Sequence, residues 1–118
     1  MAAKDVLGRD GEAIAVRHLE GKGYSIIDRN WRCAQGEIDI VARQNDETVF
    51  VEVKTRSSIA YGHPFEAITT KKLARLRRLA GAWCLTTSTA TRHIRIDVVS
   101  VIVGRKHEPT IEHIEAVF

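Results

Sequence analysis

The chain has 118 residues, enough for one domain spanning residues 1–118 with a core of its own and too few for a second. Its 44% hydrophobic and 28% charged residues exclude a disordered chain or one made of membrane spans, and a formal charge of +3 with a pI near 9.1 permits nucleic acid as a partner without requiring it. Cys33 and Cys84 lie far apart with no C-x-x-C or Cys/His spacing, so neither a disulfide framework nor a zinc site is expected and a reducing cytoplasm fits.

The opening MAAKDVLGRDGEAI is interrupted by charges and holds no apolar leader, and no stretch approaches the ~18 apolar residues of a membrane span, so no membrane association is expected. Residues 4–22 read as a first helix, with Val6, Leu7, Ile14 and Leu19 near one stripe and Gly21 to Gly23 as a stop. Gly8 and Gly11 each cost a helix interior roughly 1 kcal/mol relative to Ala, and so mark a fray or a close approach to another backbone. Glu12, beside Gly11, reads from the residues alone as a solvated helical acid.

Residues 24–30 form a short strand around YSII, followed by Trp31-Arg32-Cys33 and a turn through Gln35 and Gly36, both candidates for a pocket rim. Trp31 is read as a packing residue rather than a base-stacking platform. Two strands follow, 37–43 and 48–55, joined by the polar turn 44–47. A turn centred on Asn45 and Asp46 sets Val41 opposite Phe50, Asp39 opposite Glu52 and Glu37 opposite Lys54. Alternation then gives Glu37, Asp39, Val41, Phe50, Glu52 and Lys54 one face, and Ile38, Ile40, Val49, Val51 and Val53 the other.

Like charges directly opposed across a sheet, with Cβ atoms roughly 4.5–5.5 Å apart, are destabilising. A hard divalent cation would offset the Asp39–Glu52 repulsion, since Mg²⁺ takes one or two protein carboxylates and completes its shell with water and phosphate. The competing reading is a solvated face laced with ion pairs such as Glu37 to Lys54. Against it, the Val-Phe-Val run before Glu52 has the near-continuous hydrophobicity of a central strand covered on both faces, and charges buried there need partners.

Residues 57–64 have the composition of a loop, a candidate substrate-facing flap, with His63 read as polar surface rather than a proton shuttle. A second helix begins at Thr69 or Thr70 and runs through KKLARLRRLAGAWCL, with a core stripe of Leu73, Leu76, Ala80 and Trp83. Lys71, Lys72, Arg75, Arg77 and Arg78 place cations in its first turns, which opposes the helix dipole unless an anion is near. A solvated basic face and a nucleic-acid footprint both account for them. After the connector 86–91, residues 93–103 form a long strand with Ile94, Ile96 and Val98 on one face and Arg95 and Asp97 on the other, Asp97 pairing with an arginine rather than a metal. Residues 110–118 are expected to close the sheet as an edge strand with His113 facing solvent. The order α-β-β-β-α-β with a terminal strand predicts a mixed α/β sheet flanked by helices, with a right-handed crossover through the second helix.

Asp39 followed by Glu52-Val53-Lys54 on the next strand resembles the D…(D/E)-x-K signature of the restriction-endonuclease-like nucleases, which include archaeal Holliday junction resolvases; where that signature often carries Pro before its Asp, this chain has Ile38. Over nearly the whole chain, GEAIAVRHLEGKGYSIIDRNWR, GEIDIVA, VFVEVKTR and residues 71–85 resemble the YraN family of small bacterial proteins. The resemblance implies a restriction-endonuclease-like core and metal-dependent phosphodiester hydrolysis. It implies Mg²⁺ or Mn²⁺ held by Asp39, Glu52, the Val53 carbonyl and Glu12, with Lys54 orienting the attacking water. Arg56, Lys71, Lys72, Arg75 and Arg78 would contact the phosphates of nucleic acid, DNA before RNA, and a homodimer would follow the habit of the resolvases. A nucleic-acid-binding module that does not cut and a protein–protein adaptor remain open beside the nuclease.

Overall fold

The Val-Phe-Val run at residues 49–51 lies in the middle strand of a five-stranded sheet with both faces covered, which is why three apolar residues follow one another there. The computed structural model describes residues 3–57, 68–90, 92–104 and 108–117, with side chains from residue 10 onward. The elements are α1 (Ala3–Gly21), β1 (Ser25–Cys33), β2 (Gly36–Gln44), β3 (Glu47–Arg56), α2 (Thr70–Thr87), β4 (Ile94–Ile102) and β5 (Thr110–Ile114). This is the expected α/β order, and the strands lie side by side in sequence order. All neighbours are antiparallel except β3 and β4, which α2 connects as a crossover. No described helix is long and apolar enough to cross a membrane.

The turn at Asn45 sets the central register. Asn45 takes a left-handed φ of 56°, which asparagine tolerates, and β2 and β3 pair from Gln44↔Glu47 to Ile40↔Val51 as predicted. β1 runs further than expected, through Cys33: Trp31 faces Ile38 and packs on the α2 core, and Arg32 faces Glu37 with Nε 3.4 Å from Oε2. Glu37 therefore pairs with Arg32, and the expected Glu37–Lys54 partnership is replaced by Lys54 with Glu52.

Thr69 caps α2, its hydroxyl accepting from the Lys72 N–H at 3.2 Å. The helix ends at Thr87, two residues past the predicted stop, where Ser88 in the left-handed region lets the Thr89 N–H reach the Cys84 carbonyl. Leu79 and Cys84 join Leu76, Ala80 and Trp83 in the buried stripe, against Ile38, Val41, Phe50 and Ile96. Phe50 meets Trp83 edge to face, with centroids 5.5 Å apart. On the opposite face Ala15 and Leu19 of α1 cover Ile40, Ala42, Val49, Val51, Val99 and Val101.

Asp97 is fully buried and pairs with an arginine, as expected: Arg95 donates from Nε and Nη2, each at 2.9 Å. His113 departs from expectation. Its side chain is 3% exposed, with Nε2 2.7 Å from Asp97 and Nδ1 3.2 Å from the Lys22 ammonium. The β5 register turns His113 inward beside Val99, where Asp97 still has acceptor capacity to offer.

Candidate functional site

The sheet breaks its own rule at Asp39. Ile38 packs in the α2 core and Ile40 in the α1 core, although residues two apart in a regular strand share a face. The alternation therefore inverts at Asp39, so Ile38 does not share the face of Ile40 as the sequence suggested. On β1, between the pairs Arg29↔Ile40 and Trp31↔Ile38, Asn30 sits at φ 53°, the matching irregularity. The β2–β3 ladder ends at Ile40↔Val51, one pair short of the predicted Asp39↔Glu52 pairing. Beyond it the Val53 N–H donates to Asp39 Oδ2 at 2.8 Å, so a carboxylate takes the place of the missing ladder carbonyl.

This gap collects charge. Burial pushes the Asp39 carboxyl up to about 7; Glu52 adds repulsion, the Val53 N–H opposes it, and Glu12 and Glu37 add more. Glu52 Oε1 lies 3.2 Å from the Lys54 ammonium, with both side chains mostly buried. Glu12 reaches the cluster from α1. Burial raises its proton affinity, Asn30 and Arg29 pull it back, and Glu37 repels it. Arg29 Nη2 stands 3.7 Å from Glu12 Oε1, too far for a hydrogen bond, and that buried oxygen has no hydrogen-bond partner among the described residues.

Gly11 explains how α1 comes so close. A Cβ built at Gly11 would lie 2.8 Å from the Thr55 Cβ and nearer still to its branch atoms, so the glycine admits a β3 side chain rather than the backbone expected from sequence. Glu12 is the next residue, and the same approach delivers its carboxylate. Gly11→Ala is expected to destabilise the fold by about 1–3 kcal/mol despite its better helix propensity, because the branched Thr55 has no rotamer that clears the methyl. Urea unfolding of this variant and of Gly11→Ala/Thr55→Ala measures it. The second substitution should recover part of the loss, and no loss in the single variant would contradict the contact.

The structure thus brings together Glu12, Asp39, Glu52, Val53 and Lys54. Arg29 and Asn30 also bear on the cluster and were not singled out from the sequence, while Glu37, which the sequence placed on the same face, adds its charge. Only Asn30 carried a signal, as a residue tolerant of positive φ. Lys71, Arg75 and Arg78 are exposed on α2, Lys72 is half-buried, and Arg56 is exposed at the end of β3 with Nη1 on the Thr55 carbonyl at 2.8 Å. They stand apart from the groups that perturb Asp39. The loop expected to act as a flap lies almost wholly outside the described residues, and His63 lies outside them.

Among the described residues no group of three or more His, Cys, Asp and Glu side chains is placed to hold a metal ion. Two carboxylates and water suffice for a hard cation, and a buried Glu12 oxygen without a hydrogen bond among the described residues, together with a buried Asp39 pushed up to about 7, is donor chemistry such an ion would stabilise. Asp39, Glu52 and Glu12 are the carboxylates through which the cluster could hold such an ion.

Comparison with known proteins matches residues 11–101 to the model of the uncharacterised protein family UPF0102, an interval that contains the whole cluster. The chain is 54% identical over 117 residues to a UPF0102 protein of Arthrobacter sp. (strain FB24), covering 99% of each chain. It is 56% identical to one of Paenarthrobacter aurescens (strain TC1), covering 99% of this chain and 97% of that one. With one of Nocardia farcinica (strain IFM 10152) the identity is 47%, covering 98% and 91%.

Proposed function

The chain belongs to the uncharacterised protein family UPF0102, the family its sequence resembles under the name YraN, and from that premise and the carboxylate cluster we propose a metal-dependent nuclease that hydrolyses phosphodiester bonds in DNA, branched DNA included. The observation that carries this reading is Asp39. Burial first, and then the charges of Glu52 and Glu12, push its carboxyl up to about 7, and a cation would replace the proton it holds. A buried acid held against its preference among like charges is a pattern that functional sites often carry.

Asp39 and Glu52 would hold Mg²⁺ or Mn²⁺, with Glu12 reaching it through water and the Val53 carbonyl completing the protein's share. When bound, the ion supplies Lewis acidity and a water of lowered pKa. Asp39 gives up its proton on binding and stays oriented by the Val53 N–H. Lys54, already 3.2 Å from Glu52, holds an ammonium next to the charge that develops on phosphate oxygens, where a fixed cation contributes most to rate. Lys71, Lys72, Arg75, Arg78 and Arg56 track the phosphate backbone, giving affinity that falls with salt and carries little base readout.

A binding module that keeps the fold without cutting is the second reading, favoured by one observation: Lys54, 3.2 Å from Glu52, gives that carboxylate a cationic partner without a metal. End-labelled linear duplex, flap and four-way junction DNA incubated with the protein in Mg²⁺, Mn²⁺ or EDTA separate the two. The nuclease predicts cleavage in the metals and none in EDTA. Salt-sensitive binding with no cleavage of any substrate would leave the binding module.

A further inference from the structure

α2 and the first half of β4 enclose a groove of about 500 Å³ that the carboxylate cluster does not use, lined by Ala74, Arg77, Arg78 and Gly81 of the helix and by Ile94 and Ile96 of the strand. The helical residues recur at spacings of three and four and so form one flank of α2. β5 pairs with β4 only from Val98 onward; beyond it the Val117 N–H still reaches the Ile96 carbonyl at 2.8 Å, and no β5 residue pairs with Ile94. Arg95 also borders the groove, but its guanidinium is held by Asp97, Glu47 and the Tyr24 hydroxyl. Arg77 and Arg78, both exposed on α2, line it with cations, and Arg78 is the one that continues the stripe of Lys71 and Arg75.

Gly81 points to an occupant from outside the chain. It sits inside a helix, where glycine costs roughly 1 kcal/mol relative to Ala. A Cβ built there meets no described atom within 4 Å, so no packing among the described residues requires the glycine. What its absent side chain keeps open is the groove. Lys71, Arg75 and Arg78 form the neighbouring stripe of α2 and meet the groove at Arg78, so a track of phosphate-binding cations leads to an apolar slot.

We propose that this groove takes one unpaired nucleotide of a DNA strand, its phosphate on Arg78 and its base against Ala74, Gly81 and Ile94. The proposal rests on the nucleic-acid reading above and adds to it how branched or gapped DNA is told from continuous duplex. A nucleotide joins an anion to a flat apolar body, the combination the groove offers, and apolar contact with the face of a base discriminates little between bases. A duplex with its bases stacked cannot fill the slot.

The test is fluorescence anisotropy in EDTA with a labelled 20-base-pair duplex and the same duplex carrying a two-nucleotide bulge. Wild type should bind the bulged DNA about 5-fold or more tightly than the duplex. Gly81→Leu adds a side chain at a position where a Cβ meets no described atom and improves helix propensity, so it should keep or raise the thermal midpoint. It should erase the preference while duplex affinity stays within about two-fold. Ala74→Leu provides a second filling from the other end and should do the same. Duplex binding with no bulge preference in wild type, or a preference that survives both fillings, overturns the groove assignment alone. Binding of neither DNA at low salt overturns the nucleic-acid reading and the groove with it.

Discussion

Glu52→Gln and Lys54→Met are each expected to lower metal-dependent cleavage by about 10²–10³-fold or more, with DNA affinity in EDTA within about two-fold of wild type. Gln keeps the shape of Glu52 and an oxygen for the Lys54 ammonium 3.2 Å away, so what it removes is the charge that would share the ion with Asp39. Met keeps the aliphatic stem of Lys54 in its mostly buried position and removes only the ammonium. Neither residue lies on α2, where the phosphate-tracking cations are. Single-turnover cleavage paired with equilibrium binding measures both quantities. A variant that retains more than about a tenth of the wild-type rate would remove its residue from the chemistry.

Asp97→Ala is expected to cost roughly 3–5 kcal/mol of stability, the loss that follows when one member of a buried charge pair is removed. Asp97 receives Nε and Nη2 of Arg95, the Ala116 N–H at 2.9 Å and a 2.7 Å contact from His113. Without it the Arg95 guanidinium, 11% exposed, keeps Glu47, Glu115 and Tyr24 among the described residues, and β5 with the segment after it loses the side-chain anchor that supplements its pairing with β4. Burial pushes the Asp97 carboxyl up from its ordinary 3.8, but the hydrogen bonds from His113, Arg95 and Ala116 outweigh it and hold the group below that value. A depressed carboxyl contributes stability above its unfolded value and loses it as pH falls through the folded one. The acid limb of the stability curve should therefore be shallower in Asp97→Ala. Urea unfolding between pH 2 and 7 checks the size and the slope, and a cost under about 1 kcal/mol would contradict the role of the network.

Much of the architecture was legible because it is written in local chemistry. The Asn45-Asp46 turn fixed the central register, the Val-Phe-Val run marked the middle strand, and Thr69 marked the start of α2. Asp97 and Arg95 lie two residues apart on one strand, so their pairing was legible as well. The features that were missed are set by distant parts of the chain. Glu-Ile-Asp-Ile reads as plain alternation, and only the division of Ile38 and Ile40 between two helices on opposite faces reveals the inversion at Asp39. His113 looked like the polar side of an edge strand, but its partners Asp97 and Lys22 come from β4 and the end of α1. For the candidate site, the D…E-x-K spacing located Asp39, Glu52 and Lys54. The reason Asp39 is under electrostatic stress, a ladder that ends one pair early and a glycine that lets α1 deliver Glu12, is visible only in three dimensions.

The central claim is that Asp39 holds a metal in exchange for its proton, and thermal unfolding of wild type and Asp39→Asn at pH 8, with and without millimolar Mn²⁺ or Mg²⁺, tests it most directly. A carboxyl raised to about 7 favours the fold below its ordinary 3.8, and this contribution is lost as pH rises through 7, where the folded state must carry the charge. Metal-free Asp39→Asn, which cannot ionise, should then unfold at a higher temperature than wild type at pH 8, and the gap should close toward pH 4. Added metal should raise the wild-type midpoint, by about 2.7 kcal/mol in stability at 100 times Kd, and leave Asp39→Asn unmoved. A wild-type midpoint that saturating metal does not raise, or an equal rise in both proteins, would contradict it.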